Sequence, residues 1–381
     1  MPSAYFTPDH ETFRASVRRF LEREVAPHAE RWESERRIPR EIFRRMGELG
    51  LLGILFPPEV GGAGGDLFHA VAFLEELPRS RMGGFCAAIS VQQFMATRHV
   101  WNHGSAEQKR RWVVPSIEGR AVGALAVTEP DAGSDVAALR TRAERRDGGW
   151  VVHGAKTFIT NGADGTFFTL AARTAPDRGA RGISLFVVPA DAPGVRVARR
   201  LEKLGWHCGD TAELSFEDVR LPADALIGEE NAGFGYLMEA FQLERLCSAA
   251  IAVGSAIVCL EETTAYARDR QAFGRPIAEF QTIRHRLADL ATAVEAARQL
   301  TLHAAWLLQH GHPAVRECSM AKLFATETAK RVADECLQCY GGYGLMEEYP
   351  AARFFRDARP NTIVAGTSEI MREIIARRML E

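Results

Sequence analysis

The feature that most limits what this chain can fold into is a change of hydrophobic period that occurs twice. From Thr7 to about residue 112, apolar residues recur at helical spacing, as in Phe13, Val17, Phe20, Leu21 and Val25. Between Ala124 and Val219 the pattern shortens to β-type runs at 150–152, 167–170, 183–188 and 213–216. Turn residues such as Asp147-Gly148-Gly149 and Asn161-Gly162 part them. After Pro222 the helical period returns and lasts to the end. No helix-length segment separates the β runs, so an antiparallel barrel or sandwich is expected rather than a parallel sheet. A length of 381 residues exceeds one ordinary core. The expected fold is mainly α with a central β domain. An N-terminal helical domain covers 1–122, a middle β domain 123–228, and a C-terminal four-helix bundle 229–381.

Local signals sharpen the helices. Thr7-Pro8 is a cap with proline in the first turn, Pro39 opens a second helix, and Gly61 to Gly65 form a loop. Helices are then expected at about 67–77 and 87–112. In the last third they are expected at about 233–271, 281–308, 313–340 and 367–380.

Several function classes are disfavoured. A net charge of −2 gives no field drawing in nucleic acid or an anionic membrane. Residues 1–12 hold no apolar leader segment. The longest uncharged runs, 82–97 and 246–260, fall short of the roughly 20 residues of a membrane span, so buried helices are expected there. Seven cysteines form no disulfide framework, and Cys336 and Cys339 lack the second pair of a zinc site. Reduced thiols and a cytoplasmic location follow as expectations. None of the eleven histidines forms an HExxH, so no metal is expected. Neither GxGxxG after a strand nor GxxxxGK[ST] occurs.

The glycines lie elsewhere. Val127-Thr128-Glu129-Pro130-Asp131-Ala132-Gly133-Ser134-Asp135 opens the β region, offering two hydroxyls and a glycine that admits close backbone approach. By itself it reads equally as a polar turn. Four further segments follow in order: Lys156-Thr157-Phe158-Ile159-Thr160-Asn161-Gly162; Arg270-Gln271-Ala272-Phe273-Gly274 with Gln281; Gln338-Cys339-Tyr340-Gly341-Gly342; and Ala365-Gly366-Thr367-Ser368-Glu369. Together they resemble the acyl-CoA dehydrogenase family over almost the whole chain.

The resemblance implies FAD as cofactor. Leu125, Val127, Thr128, Gly133 and Ser134 would line the flavin, with Phe158 and Thr160 on its other side, and Ser134 would also touch the CoA. Arg270, Phe273, Gln281, Gln338, Gly341 and Gly342 would reach the FAD of a neighbouring subunit, an arrangement that needs a dimer, usually paired into a homotetramer. An arginine fork suits diphosphate oxygens. Thr367 and Glu369 would complete the site at a helix N-terminus. An electron-transferring flavoprotein is the implied electron acceptor.

The family's reaction removes a proton from Cα of a thioester and a hydride from Cβ. It needs a carboxylate over Cα and donors for the enolate-like oxygen. Much of the family places that carboxylate directly before Gly-Thr, where this chain has Ala365. Gln242-Leu243-Glu244-Arg245-Leu246 instead resembles the base-bearing segment of isovaleryl-CoA and long-chain acyl-CoA dehydrogenases. Glu244 is thus the expected base, the alternative being a helix-surface glutamate paired with arginine. Gln242, Arg245 and Gly366 are expected at the substrate, though Arg245 reads equally as a bundle ion pair. The backbone N–H of Ala365 still offers the thioester carbonyl a donor.

Trp206, His207, Asp210 and Thr211 are expected at the site's rim, His207 without an acid–base role, and His285 as a packing residue. Val91, Phe94 and Met95 are candidates for the acyl-tail pocket and equally for core. Two rivals stay open: a flavin oxidase or monooxygenase on the same scaffold, and a catalytically silent acyl-CoA-binding homologue, which Ala365 favours.

Overall fold

The computed structural model describes residues 4–381, so Met1 to Ser3, the start of the segment read as lacking a leader, lie outside it. The N-terminal region holds α1 (Pro8–Phe20), α2 (Ala29–Glu35), α3 (Arg40–Glu48), α4 (Leu67–Glu76), α5 (Gly83–Ser90), α6 (Thr97–His103), α7 (Ala106–Gln108) and α8 (Val114–Ile117). The Thr7 hydroxyl accepts from His10 N–H while the His10 ring accepts from Thr7 N–H, a reciprocal cap that starts α1. The single helix expected at 87–112 is interrupted. A π-helical turn, Val91–Ala96, joins α5 to α6. Gly104 is extended, and Ser105 then caps α7 with Gln108 answering it. That Ser-x-x-Gln capping box supplied a start signal that the apolar period concealed.

The sheet strands are β1 (Gly123–Ala126), β2 (Arg142–Arg146), β3 (Gly149–Thr160), β4 (Phe167–Arg173), β5 (Ile183–Pro189), β6 (Val195–Arg200), β7 (Thr211–Leu221) and β8 (Leu226–Ile227). They form two arms, β6-β7-β3-β2 and β4-β5-β8, joined at the single pair Arg142↔Arg173. Alternate residues Trp150, Val152, Phe168, Leu170, Phe186 and Val188 fill the core between the arms. The sheet is antiparallel as expected except at two places. β1 lies parallel to β4, and so does the one pair between β2 and β4. β1 enters straight from the helical region and has no hairpin partner, which frees it to pair with β4.

The C-terminal region comprises α9 (Gly233–Asp269), a two-residue hairpin β9 (Gln271–Ala272) and β10 (Arg275–Pro276), then α10 (Gln281–Gln309), α11 (Val315–Tyr340), α12 (Pro350–Ala358) and α13 (Ser368–Leu380). The short α12 was not expected. By length and composition α9 could cross a membrane, yet 67% of its apolar window is buried inside the protein. It packs against α11, α10 and α4 as a core helix.

The two helical regions share one core. Val17 and Leu21 of α1, Phe73 and Leu74 of α4, Ala249 and Val253 of α9, Leu302 of α10 and Val332 of α11 belong to a single buried cluster. α4 is buried on almost every side. A Cβ at Gly254 of α9 would stand 2.2 Å from the Glu75 carbonyl oxygen, so only glycine permits this approach. Glu75 and Glu76 close α4 as buried carboxylates, neutralised by Arg14, Arg18, Arg79 and Arg298 at 2.7–3.3 Å. All seven cysteines are free and buried.

Candidate active site

The first segment after β1 is held from below. Lys156 on β3 is fully buried; its Nζ donates to the Val127 carbonyl (2.9 Å) and to Glu129 Oε1 (2.8 Å). Glu129 also accepts the N–H groups of Arg140 and Thr141. Four bonds therefore set the turn that carries Thr128 and Gly133, and Thr157 N–H donates to the Thr128 carbonyl beside it. Past Lys156 the β3–β7 register slips before Ile159. At this bulge Phe158 adopts φ 58° and stands 68% exposed.

A cavity of about 720 Å³ opens there, between α5, the π-helical turn, β1, α9 and the segment before α13. Leu125, Thr128, Gly133, Ser134, Phe158 and Thr160 line it, together with Glu244, Ala365, Gly366 and Thr367. Val127 does not; it is buried behind the wall. Val91 and Met95 line the cavity, whereas Phe94 is a core residue at 1% exposure. Small groups of α9, Ser248 and Ser255, face it on the same side as Glu244.

Glu244 is 4% exposed, and its Oε1 has no hydrogen-bond partner. Its neighbour Arg245 turns the other way, near the Phe241 ring at 5.8 Å, and Gln242 accepts the Ala314 N–H, so neither lines the cavity. On the same cavity, Ala365 takes φ 54° and Gly366 φ 92°, a left-handed pair that turns the chain into α13. Lys322 of α11, fully buried, donates to the Gly366 carbonyl at 2.7 Å and fixes this turn. Burial, with Arg245 nearby, pushes its ammonium down to about 8. Thr367 caps α13 by accepting from Ile370 N–H, while Glu369 is exposed.

A second cavity of about 490 Å³ collects Arg270, Gln338, Gly341 and Gly342 at the far end of α9 and α11. Phe273 and Gln281 stand outside both: Phe273, 95% exposed, leans edge-on to Phe280, and Gln281 reaches His285. His285 is itself exposed on α10, not packed as expected. His207 donates within its own loop, to the Lys203 or Leu204 carbonyl, away from catalysis. Trp206 and Thr211 do line the first cavity. Asp210 lies below them, accepting Ala163 and Asp164 N–H at 2.7 Å each.

Whether these surfaces suit a flavin dinucleotide is answered by the cradle glycines. A Cβ at Gly133 would meet only Thr128 Cγ2 at 3.9 Å, and at Gly341 or Gly342 nothing within 4 Å. Backbone there is open to a ligand, with hydroxyls at one cavity and an arginine fork at the other. The residues fit.

Residues that the sequence reading missed bind the site together. Asp357 of α12 accepts Gly83 N–H (2.8 Å) and Trp206 N–H (2.6 Å), clasping all three regions at the cavity rim. Burial, then the nearby Glu33 carboxylate, push Asp357 up to about 7. Between about pH 4 and this value the folded chain holds a proton that an unfolded aspartate has released. Stability from this group therefore falls as pH rises through that window. Asp357→Asn should gain melting temperature relative to the unmodified protein as pH rises from about 5 to about 8. A constant difference across those melts would show that Asp357 does not titrate there.

Among the described residues one cluster, His10, Asp66 and His69, could hold a metal ion, against the expectation of none. Its ring nitrogens already serve the caps of α1 and α4: Thr7 N–H donates to His10 Nδ1 and Asp66 N–H to His69 Nδ1. Asp66 joins both rings.

Comparison with known proteins agrees with this architecture. The acyl-CoA dehydrogenase N-terminal, middle and C-terminal domain families match residues 7–120, 124–219 and 231–380. The mouse mitochondrial long-chain specific acyl-CoA dehydrogenase is 41% identical over 98% of this chain and 87% of its own length. An acyl-CoA dehydrogenase structure from Geobacillus kaustophilus superposes with a TM-score of 0.96 at 42% identity, covering 99% of this chain and all of the other. A glutaryl-CoA dehydrogenase of Mycobacterium smegmatis solved with FADH2 gives 0.93 at 30% identity, over 98% and 95%. The chain is an oxidoreductase and belongs to the acyl-CoA dehydrogenase family.

Proposed function

We propose that this enzyme is FAD-dependent and oxidises the Cα–Cβ bond of an acyl-CoA thioester to the trans-2-enoyl-CoA, with Glu244 as base. The observation that carries the reading is the buried carboxylate of Glu244, with Oε1 unpartnered, on the cavity that also holds Ala365 and Ser134. When bound, FAD supplies the hydride acceptor at flavin N5. The chain does the rest. Glu244 takes the Cα proton. The Ala365 N–H, aimed by the Ala365–Gly366 turn and steadied by Lys322, donates to the thioester carbonyl as negative charge grows there. The apolar wall at Val91, Met95 and Ile251 takes the acyl tail and keeps water from the carboxylate. With a carboxylate in this cavity, Ala365 no longer argues for a silent binding protein.

The test is anaerobic addition of straight and branched acyl-CoAs to the purified protein, with bleaching of the flavin expected for at least one. No bleaching by any would return the silent homologue to first place. Rapid reoxidation by oxygen would favour the oxidase reading. An electron-transferring flavoprotein as acceptor and a cytoplasmic location belong to the same proposal.

The proposal also includes a subunit pair in which Arg270, Gln338, Gly341 and Gly342 hold the partner's FAD, with the exposed Phe273 at the contact and the pairs joined as a homotetramer. Arg270→Ala should then weaken FAD binding by about 1.5–3 kcal/mol, the worth of a hydrogen bond to a charged group. Fluorescence titration of the apoprotein measures it. Unchanged affinity would leave Arg270 a structural residue stacked on Tyr343.

A further inference from the structure

We propose that His99 is the positioning residue for the Glu244 carboxylate, an inference that rests on Glu244 being the base. His99, on α6, is 1% exposed, and its Nε2 lies 3.8 Å from Glu244 Oε1. Among the described residues neither ring nitrogen has a hydrogen-bond partner, and neither does that oxygen. Buried polar atoms are rarely left so, because each unmade bond leaves a desolvated group uncompensated. Here the unsatisfied groups face one another just beyond hydrogen-bond reach. Catalytic contacts of this kind commonly tighten when substrate fills the site. His99 stands behind Glu244, outside the cavity wall, so it acts through the carboxylate and not on the substrate.

With its proton on Nε2, the imidazole donates to Oε1 and fixes the rotation of the carboxylate, leaving Oε2 for the substrate. In the step itself, Oε2 gains the Cα proton, the C–H electron pair stays with the substrate, and His99 keeps its own proton.

Other charged or titratable groups crowd the pair. Arg98 and His103 stand on α6, with Lys109 beyond them, Glu239, Arg245 and Cys247 on α9, and Cys318 on α11. Burial raises the Cys247 and Cys318 thiols out of the neutral range. The two arginines stay cationic. Burial lowers His103, which stacks on Tyr236 with its Nε2 3.6 Å from Glu239. None of these reaches Glu244 Oε1 within hydrogen-bond distance.

The experiment compares the flavin-reduction rate of the FAD-loaded protein with acyl-CoA, from about pH 6 to about 9, in the unmodified protein, H99L, H99Q and E244Q. H99L removes the donor at similar volume; H99Q keeps an N–H. We expect H99L to slow reduction about ten-fold, as a loosened carboxylate would, with H99Q restoring most of the rate. H99L should melt no lower than the unmodified protein, since it deletes two unsatisfied polar atoms. If H99L does not hold flavin, H99F, which keeps a ring, is read by the same criteria. An unslowed H99L, or a slowed one that H99Q does not rescue, with E244Q slow, overturns the role of His99 alone. A fast E244Q overturns the base and this proposal together.

Discussion

Glu244→Gln should slow anaerobic flavin reduction by about 10²–10⁴-fold, the usual worth of a general base, while acyl-CoA and FAD bind nearly as before. Glutamine keeps the shape and the hydrogen-bonding capacity of the side chain but cannot accept the Cα proton. The contact from Ser248 Oγ goes to the Glu244 backbone carbonyl and survives the change. Stopped-flow mixing with excess acyl-CoA reads the rate directly. Adding Ala365→Glu to this variant sets a carboxylate at another point on the same cavity, and partial recovery is expected. A carboxylate misplaced by about 1 Å still loses about 10²-fold, so the single variant decides. Reduction at the unmodified rate in E244Q would make Glu244 a buried bundle carboxylate and send the search for the base elsewhere.

Glu129→Ala should destabilise the protein by about 3–5 kcal/mol, the cost of stripping one partner from a buried ion pair. Lys156 is the reason. Its ammonium is fully buried, and burial alone already pushes it down to about 8 despite the carboxylate beside it. Without Glu129 it keeps only the Val127 carbonyl, and the N–H groups of Arg140 and Thr141 lose their acceptor. Urea unfolding followed at constant m measures the loss. Combining the change with Lys156→Met should cost less than the single substitution, because an apolar residue leaves no orphan charge. A loss below about 1 kcal/mol in the single variant would mean that water reaches the pair.

The helical, β, helical order was legible because each region buries one face and must repeat its apolar residues at its own period. Thr7-Pro8 and the 233–271 stretch announced their helices in the same way. What failed was local competition and long range. The capping box at Ser105 ended a helix that the apolar pattern would have continued. α12, nine residues after a proline, was too short for its period to stand out. At the site, Glu244 was readable because its motif is contiguous and Ala365 left the usual place vacant. His99, Lys322 and Asp357 were not. Each acts on a residue far along the chain, at Glu244, Gly366, and Gly83 with Trp206, and nothing in the spacing of a lone His, Lys or Asp encodes such a meeting. Lys322 did leave one trace, a lysine in register with the small and apolar residues of the buried face of α11.

The core shared by α1, α4 and α9 sets an order on the birth of the molecule. α1 and α4 leave the ribosome first, yet the helix that covers α4 is translated only after the whole β region. Until then α4 has α1 to lie against but not α9, and closing the core must join segments from both ends of the chain across a long loop. The β region can settle while it waits. Maturation is therefore a clasp shut late by the carboxyl-terminal third.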